Sequence, residues 1–172
     1  GNQAMLSKTQ TAIAENRSVF ASKVKSVSEG MKPSERAIKK AINVKLGKRV
    51  SKGAFSGFPI FTLTLEERAT CPTSCYHWNG CYGNHMRFAT RYKPDSALID
   101  QIQADLTELS RKHPKGFLVR LHILGDFYSV DYVNRWRSWL AEFPALHVYG
   151  YSARIDAADS ISHALAFLRE DM

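Results

Sequence analysis

The sequence predicts an α/β fold, with parallel βα units forming a partial TIM-like barrel, preceded by a basic helical N-terminal region. Three observations predict it. After residue 58, strand-like runs and amphipathic helical stretches recur as β-loop-α three times, an order that implies parallel strands with right-handed crossovers. The strand-like runs carry a polar row, Thr62 and Thr64, then Arg120 and His122, then His147, Tyr149 and Tyr151. Strands buried on both faces of a doubly wound sheet are apolar throughout, so a polar inward row suits a barrel or half-barrel lining a site. A half-exposed sheet whose polar row faces water gives the same periodicity. Third, the chemistry-bearing residues follow the strands, where α/β folds gather their sites.

The elements follow in order. Residues 1–53 form a basic, helical N-terminal arm and residues 54–172 the α/β domain. A weak helix over Thr11–Ser28 places Ile13, Phe20, Val24 and Val27 near one face. Gly30-Met31-Lys32-Pro33 breaks it, and Ser34 caps a second helix with Ile38, Ile42 and Leu46 at four-residue spacing, ended by Gly47. Ile60–Leu65 alternates Phe61, Leu63 and Leu65 with Thr62 and Thr64, the period of a strand. Lys93-Pro94-Asp95 opens a helix striped by Leu98, Ile102, Leu106 and Leu109 and ending near His113. A strand over Phe117–Leu124, a Gly125-Asp126 turn and a helix over Val130–Glu142 come next. A third strand over His147–Tyr151 leads through Ser152-Ala153-Arg154 to a helix over Ala157–Glu170.

Composition narrows the class. The chain has 172 residues, 44% hydrophobic and 23% charged, enough to bury one core. No apolar run approaches the roughly 20 residues that span a bilayer, and no basic stretch followed by an apolar core marks a signal peptide. Cysteines without a secretion signal lead us to expect a reducing cytoplasm. Net charge is +8 and unevenly spread. Residues 1–53 hold 12 Lys and Arg against 3 acids, and residues 54–172 hold 12 against 13. Such an asymmetry suggests DNA or RNA as a partner of residues 1–53, although a solvated lysine-rich face has the same composition.

All three cysteines, Cys71, Cys75 and Cys81, lie within eleven residues just after the first strand. An odd number cannot close a disulfide framework, and such density points to metal ligation rather than core filling. Three thiolates on a four-iron cluster leave one iron open to a small molecule. Zinc needs a fourth ligand, which His85 supplies in a C-x3-C-x5-C-x3-H pattern; His77 is the other candidate. Arg154 is suited to grip a carboxylate or phosphate, and His122 with Asp126 to form an acid–base pair. Each also has a plain structural reading, as a surface ion pair or a hydrogen bond on a strand face. Trp136 and Trp139, three apart on a helix, read as core anchors. The chain has no Walker loop, Gly-x-Gly-x-x-Gly, nucleophile elbow or His-Glu-x-x-His.

A strand, a three-cysteine loop, a helix and a second strand ending in Gly125-Asp126 together resemble the N-terminal half of radical S-adenosylmethionine (SAM) enzymes. The resemblance implies that Cys71, Cys75 and Cys81 hold a [4Fe–4S] cluster and that Gly125 and Asp126 form the SAM-contacting turn. The chemistry it implies is reductive cleavage of SAM to a 5′-deoxyadenosyl radical that takes a hydrogen atom from a substrate. Catalytic candidates are then His122, Asp126 and Arg154. The stretches Thr70-Cys71-Pro72, Cys81-Tyr82-Gly83 and His122 to Ser129 also resemble an uncharacterised phage gene-product family with a radical-SAM-like pattern. The spacing departs from the superfamily's usual C-x3-C-x2-C, Asp126 stands where that superfamily has Glu, and only three βα units follow residue 58. Cys75 to His85, for its part, resembles the tail of a CCCH zinc finger. That likeness implies a non-enzymatic module, with Tyr76, Trp78, Tyr82 and Phe88 stacking on bases. A metal-free phage or plasmid interaction protein is the third reading.

Overall fold

The three strands that the apolar alternation predicts pair side by side into a small open sheet. The computed structural model describes residues 10–11, 15, 18, 20–32, 35–41, 48–51, 53–71, 90–122, 125–150, 152–154 and 159–172. In chain order their elements are β1 (Val24–Lys25), β2 (Lys39–Lys40), β3 (Ile60–Leu63), α1 (Glu67–Thr70), β4 (Arg91–Tyr92) and α2 (Ser96–Lys112). There follow β5 (Phe117–Leu121), α3 (Val130–Glu142), β6 (Leu146–Gly150) and α4 (Ser160–Asp171).

The main sheet has the order β2-β3-β5-β6. β3, β5 and β6 are parallel, with Phe61 beside Val119 and Val119 beside Val148. β2 runs antiparallel to β3, Lys39 facing Thr62. This overturns the partial barrel. An antiparallel strand occupies the outer edge of β3, where a further parallel strand would have to continue the wall. Four strands, each twisted some 20–25° from the next, do not close on themselves. The fold is a small mixed α/β sheet. A second, two-stranded sheet pairs β1 with β4 in parallel.

The basic N-terminal region likewise lacks the second expected helix where it is described, although Gln10 and Thr11 are helical. The helix expected after Ser34 would need its N–H groups for i→i−4 bonds. Instead Ala37 N (2.8 Å) and Ile38 N (3.1 Å) donate to Asp105 Oδ2 of α2, and Ala41 N donates to Ile60 O of β3 at 3.0 Å. The segment is therefore extended, with Ile38 still fully buried; Ile42, Leu46 and Gly47 lie outside the described residues. Of the helix expected over Thr11–Ser28, a bond from Glu15 N to Thr11 O is present. Short 3-10 turns at Ala21–Lys23 and Val27–Glu29 flank β1 in the rest.

The three long helices stand close to where the sequence predicts them, and caps of which only Asp95 was read from it start them. Asp95 caps α2 by accepting from Leu98 N at 3.0 Å, Ser129 caps α3 by accepting from Tyr132 N at 3.0 Å, and Asp159 caps α4 by accepting from Ile161 N at 2.9 Å. The stripe Leu98, Ile102, Leu106 and Leu109 meets Phe117, Val119 and Leu121 of β5 in one core. Trp136 and Trp139 of α3 are buried there, their rings edge-on at 4.8 Å, and Trp139 Nε1 donates to Gln103 Oε1 of α2 at 2.7 Å. The alternate row, Thr62, Arg120 and Tyr149, is in register across the three strands and half-buried. Among the described residues no helix is long and apolar enough to cross a membrane.

Candidate metal and cofactor site at the carboxyl ends of the strands

Chains leaving β3, β5 and β6 converge on one point, and Thr70 is its hub. Its hydroxyl donates back to Glu66 O at 2.8 Å, as a helix-terminal Thr can. The same oxygen accepts from Asp126 N at 3.0 Å, and Thr70 O accepts from Arg154 Nη2 at 2.9 Å. Cys71, the C-cap of α1, is the next residue. The first cysteine is thus fixed to the turn after β5 and to the segment after β6.

Asp126 holds the middle of this network. It is 2% exposed. Its Oδ1 accepts from Phe127 N at 2.7 Å and from Ser152 Oγ at 2.8 Å, and its Oδ2 accepts from Ala153 N at 2.8 Å. Burial raises its pKa, and the donors from Ser152, Ala153 and Phe127, with the nearby Arg154 charge, oppose that rise. Arg154 donates through Nε to Phe127 O and pairs through Nη1 with Asp159 Oδ2 at 3.3 Å. Gly125 adopts φ 87°, and a Cβ there would lie 2.7 Å from both Leu65 Cβ and Thr70 Oγ1. Only glycine lets the turn approach α1 so closely.

His122 and Asp126 share the end of β5, yet each bonds elsewhere. His122 Nε2 is 2.7 Å from the Tyr132 hydroxyl, and its ring meets Phe127 edge-on at 4.9 Å. Desolvation alone lowers its pKa to about 3, so it is neutral at physiological pH. The acid–base pair expected from sequence is not what these hydrogen bonds form.

A buried ion pair closes the roots of the cysteine segment. Arg91 Nη1 lies 3.1 Å from Glu67 Oε1, the side chains 0% and 2% exposed, and also donates to Ser18 Oγ at 2.8 Å. Backbone bonds from Tyr92 N to Thr64 O and from Glu66 N to Tyr92 O reinforce the closure. Cys75 and Cys81, the two possible fourth ligands His77 and His85, and the aromatics Tyr76, Trp78, Tyr82 and Phe88 lie outside the described residues. Among the described residues no group of three metal-ligating side chains occurs.

The sequence reading did not name Tyr132, the partner of His122; it picked out Cys71, Gly125, Asp126 and Arg154 and quoted Thr70 and Ser152 beside them without a role, though their hydroxyls tie the site together. Their position beside picked residues was the available signal. A family model described as gene product 88 matches residues 35–168. The chain belongs to the gene product 88 family. No curated protein and no solved structure matches it. The gene product 88 match takes in β2 through most of α4 and therefore the three cysteines, Thr70, Gly125-Asp126 and Ser152 to Arg154. The phage gene-product likeness read from the sequence is this family.

Proposed function

We propose that this gene product 88 chain is an iron–sulfur protein with a radical-SAM-like site, in which Cys71, Cys75 and Cys81 ligate a [4Fe–4S] cluster at the carboxyl edge of the sheet. One observation carries the reading: Thr70, the neighbour of Cys71, bonds both Asp126 N and Arg154 Nη2. The residue next to the first cysteine thereby touches the Gly-Asp turn, which supports a cluster whose open iron would hold SAM there. The donor set fits, since three thiolates on a four-iron cluster leave one iron open. When bound, the cluster supplies the one-electron chemistry.

The chain's own residues then have distinct tasks. The Asp126 carboxylate already accepts from three protein donors, so it braces the site, and the turn's contribution to SAM comes through its backbone. Arg154 locks the segment after β6 onto Thr70. His122, neutral and bonded to Tyr132, fills the wall of the site and does not donate a proton there. Exposed Lys25, Lys32, Lys40, Lys48 and Arg49 support DNA or RNA as partner or substrate of the basic N-terminal region.

The test is metal and sulfide content with an absorption spectrum on protein purified without oxygen. About four irons and four sulfides per chain, with absorption at about 400 nm that SAM perturbs, is the expected result. One zinc in a colourless sample would overturn it in favour of the zinc-binding, nucleic-acid-binding module.

A further inference from the structure

The amino ends of the strands, opposite the cysteine edge, hold a second feature. A cleft of about 370 Å³ opens between the turn before β3 and the turn before β5. Its rim carries Arg49, Lys112, His113 and Lys115, and Phe58 lies against its floor. Beside it Phe55, 40% exposed, packs tilted against His147 with ring centroids 4.3 Å apart and stacks on Phe58 at 5.7 Å. The floor depends on Gly116: at φ +145°, a Cβ there would meet the Phe58 ring at 2.3 Å.

Cations predominate at this end among the described residues. His113 has its pKa lowered first by burial and then by Arg49, Lys112, Arg36 and Lys40 together. The acid at hand is Glu108, already paired with Lys112 at 2.7 Å and Arg36 at 3.0 Å. Arg49 donates through Nη1 to Gly57 O at 2.8 Å, which fixes its guanidinium at the rim with other N–H groups to offer.

We infer that this cleft binds single-stranded nucleic acid, with Arg49 and Lys115 on the phosphates and a base stacked on Phe55. An exposed aromatic ring held in a stack beside a groove of cations is the arrangement that binds single strands without reading sequence. A neutral apolar ligand would have no use for the cations, and a small anion none for the ring. The inference gives the nucleic-acid partner of the proposed function a location, and it stands or falls apart from the cluster. The cleft and the cysteine edge are separated by the length of β5, about 17 Å at the usual rise per strand residue.

The experiment measures binding of a short fluorescein-labelled oligothymidylate by anisotropy across a salt series, on wild type, Phe55→Ala, Lys115→Ala and Arg135→Ala. Thermal melts confirm that each variant folds, and iron and sulfide are assayed on the same samples. Phe55→Ala should weaken binding roughly tenfold. Lys115→Ala should lower the slope of log K against log salt by about 0.7. Arg135→Ala, which removes an exposed cation on α3, should change neither. Absence of binding by wild type, or loss in Arg135→Ala with none in Phe55→Ala, would overturn the cleft whatever the metal content; a sample without iron that still binds through Phe55 would sink the cluster and leave the cleft standing.

Discussion

Asp126 answers to three protein donors and has almost no contact with water, which makes it the residue whose exchange is most informative. In Asp126→Asn an amide N–H₂ must face donors at Ser152, Ala153 or Phe127, so unfolding free energy should drop by about 2 kcal/mol in a urea titration. A loss of cluster with the fold intact would instead mark the carboxylate as part of the metal site. His122 makes a prediction of opposite character. The unfolded chain takes up its proton near the ordinary value of about 6.5, the folded chain only near about 3. Its contribution to stability is therefore full above about pH 6.5 and is lost as pH falls, at up to about 1.4 kcal/mol per pH unit. The sequence placed His122 and Asp126 on one parity of a strand and suggested a pair. What it did not reveal is that the buried Tyr132 hydroxyl, two turns of chain away, competes for the imidazole.

At the scale of elements, one carboxylate ties the segment before β2 to α2. Asp105 of α2 accepts from Ala37 N, Ile38 N and Gln101 Nε2. Burial pushes its pKa up to about 6, above the roughly 3.9 of an unfolded aspartate. The folded state thus binds a proton the unfolded state has released, and stability falls as pH rises from about 4 to 6. Asp105→Ala should release residues 37–41 and expose the outer edge of β3, read as faster amide exchange at Ala41. The sequence offered Ile38, Ile42 and Leu46 as a helical stripe because periodicity sees only spacing. Ile38 is indeed buried, but the backbone donors beside it are taken by Asp105, a contact across |i−j|=67 residues that no local pattern contains. The long helices α2 and α3 were legible because their caps and stripes are local. The open sheet was not, because whether βα units close depends on which strand takes the last edge.

For the whole molecule, the two buried titrations oppose one another. Between about pH 4 and 6 His122 makes stability rise with pH and Asp105 makes it fall. Relative to wild type, His122→Gln should tilt the stability profile downward with pH and Asp105→Asn should tilt it upward; equal profiles for all three would refute both assignments. The ion pair of Arg91 with Glu67 matters on the same scale. Arg91→Ala leaves a buried carboxylate unpaired and should cost about 3–5 kcal/mol, checked by chemical denaturation. Its consequence reaches the cysteines. The pair joins residues at |i−j|=24, with all three thiols between them. Bringing the ends of such a stretch together costs roughly 3 kcal/mol on the logarithmic rule for chain closure. Because the protein meets this cost when it folds, the metal proposed for these thiols would not have to, and would meet them at a raised effective concentration. Cutting the clamp should therefore weaken metal uptake without altering a single ligand.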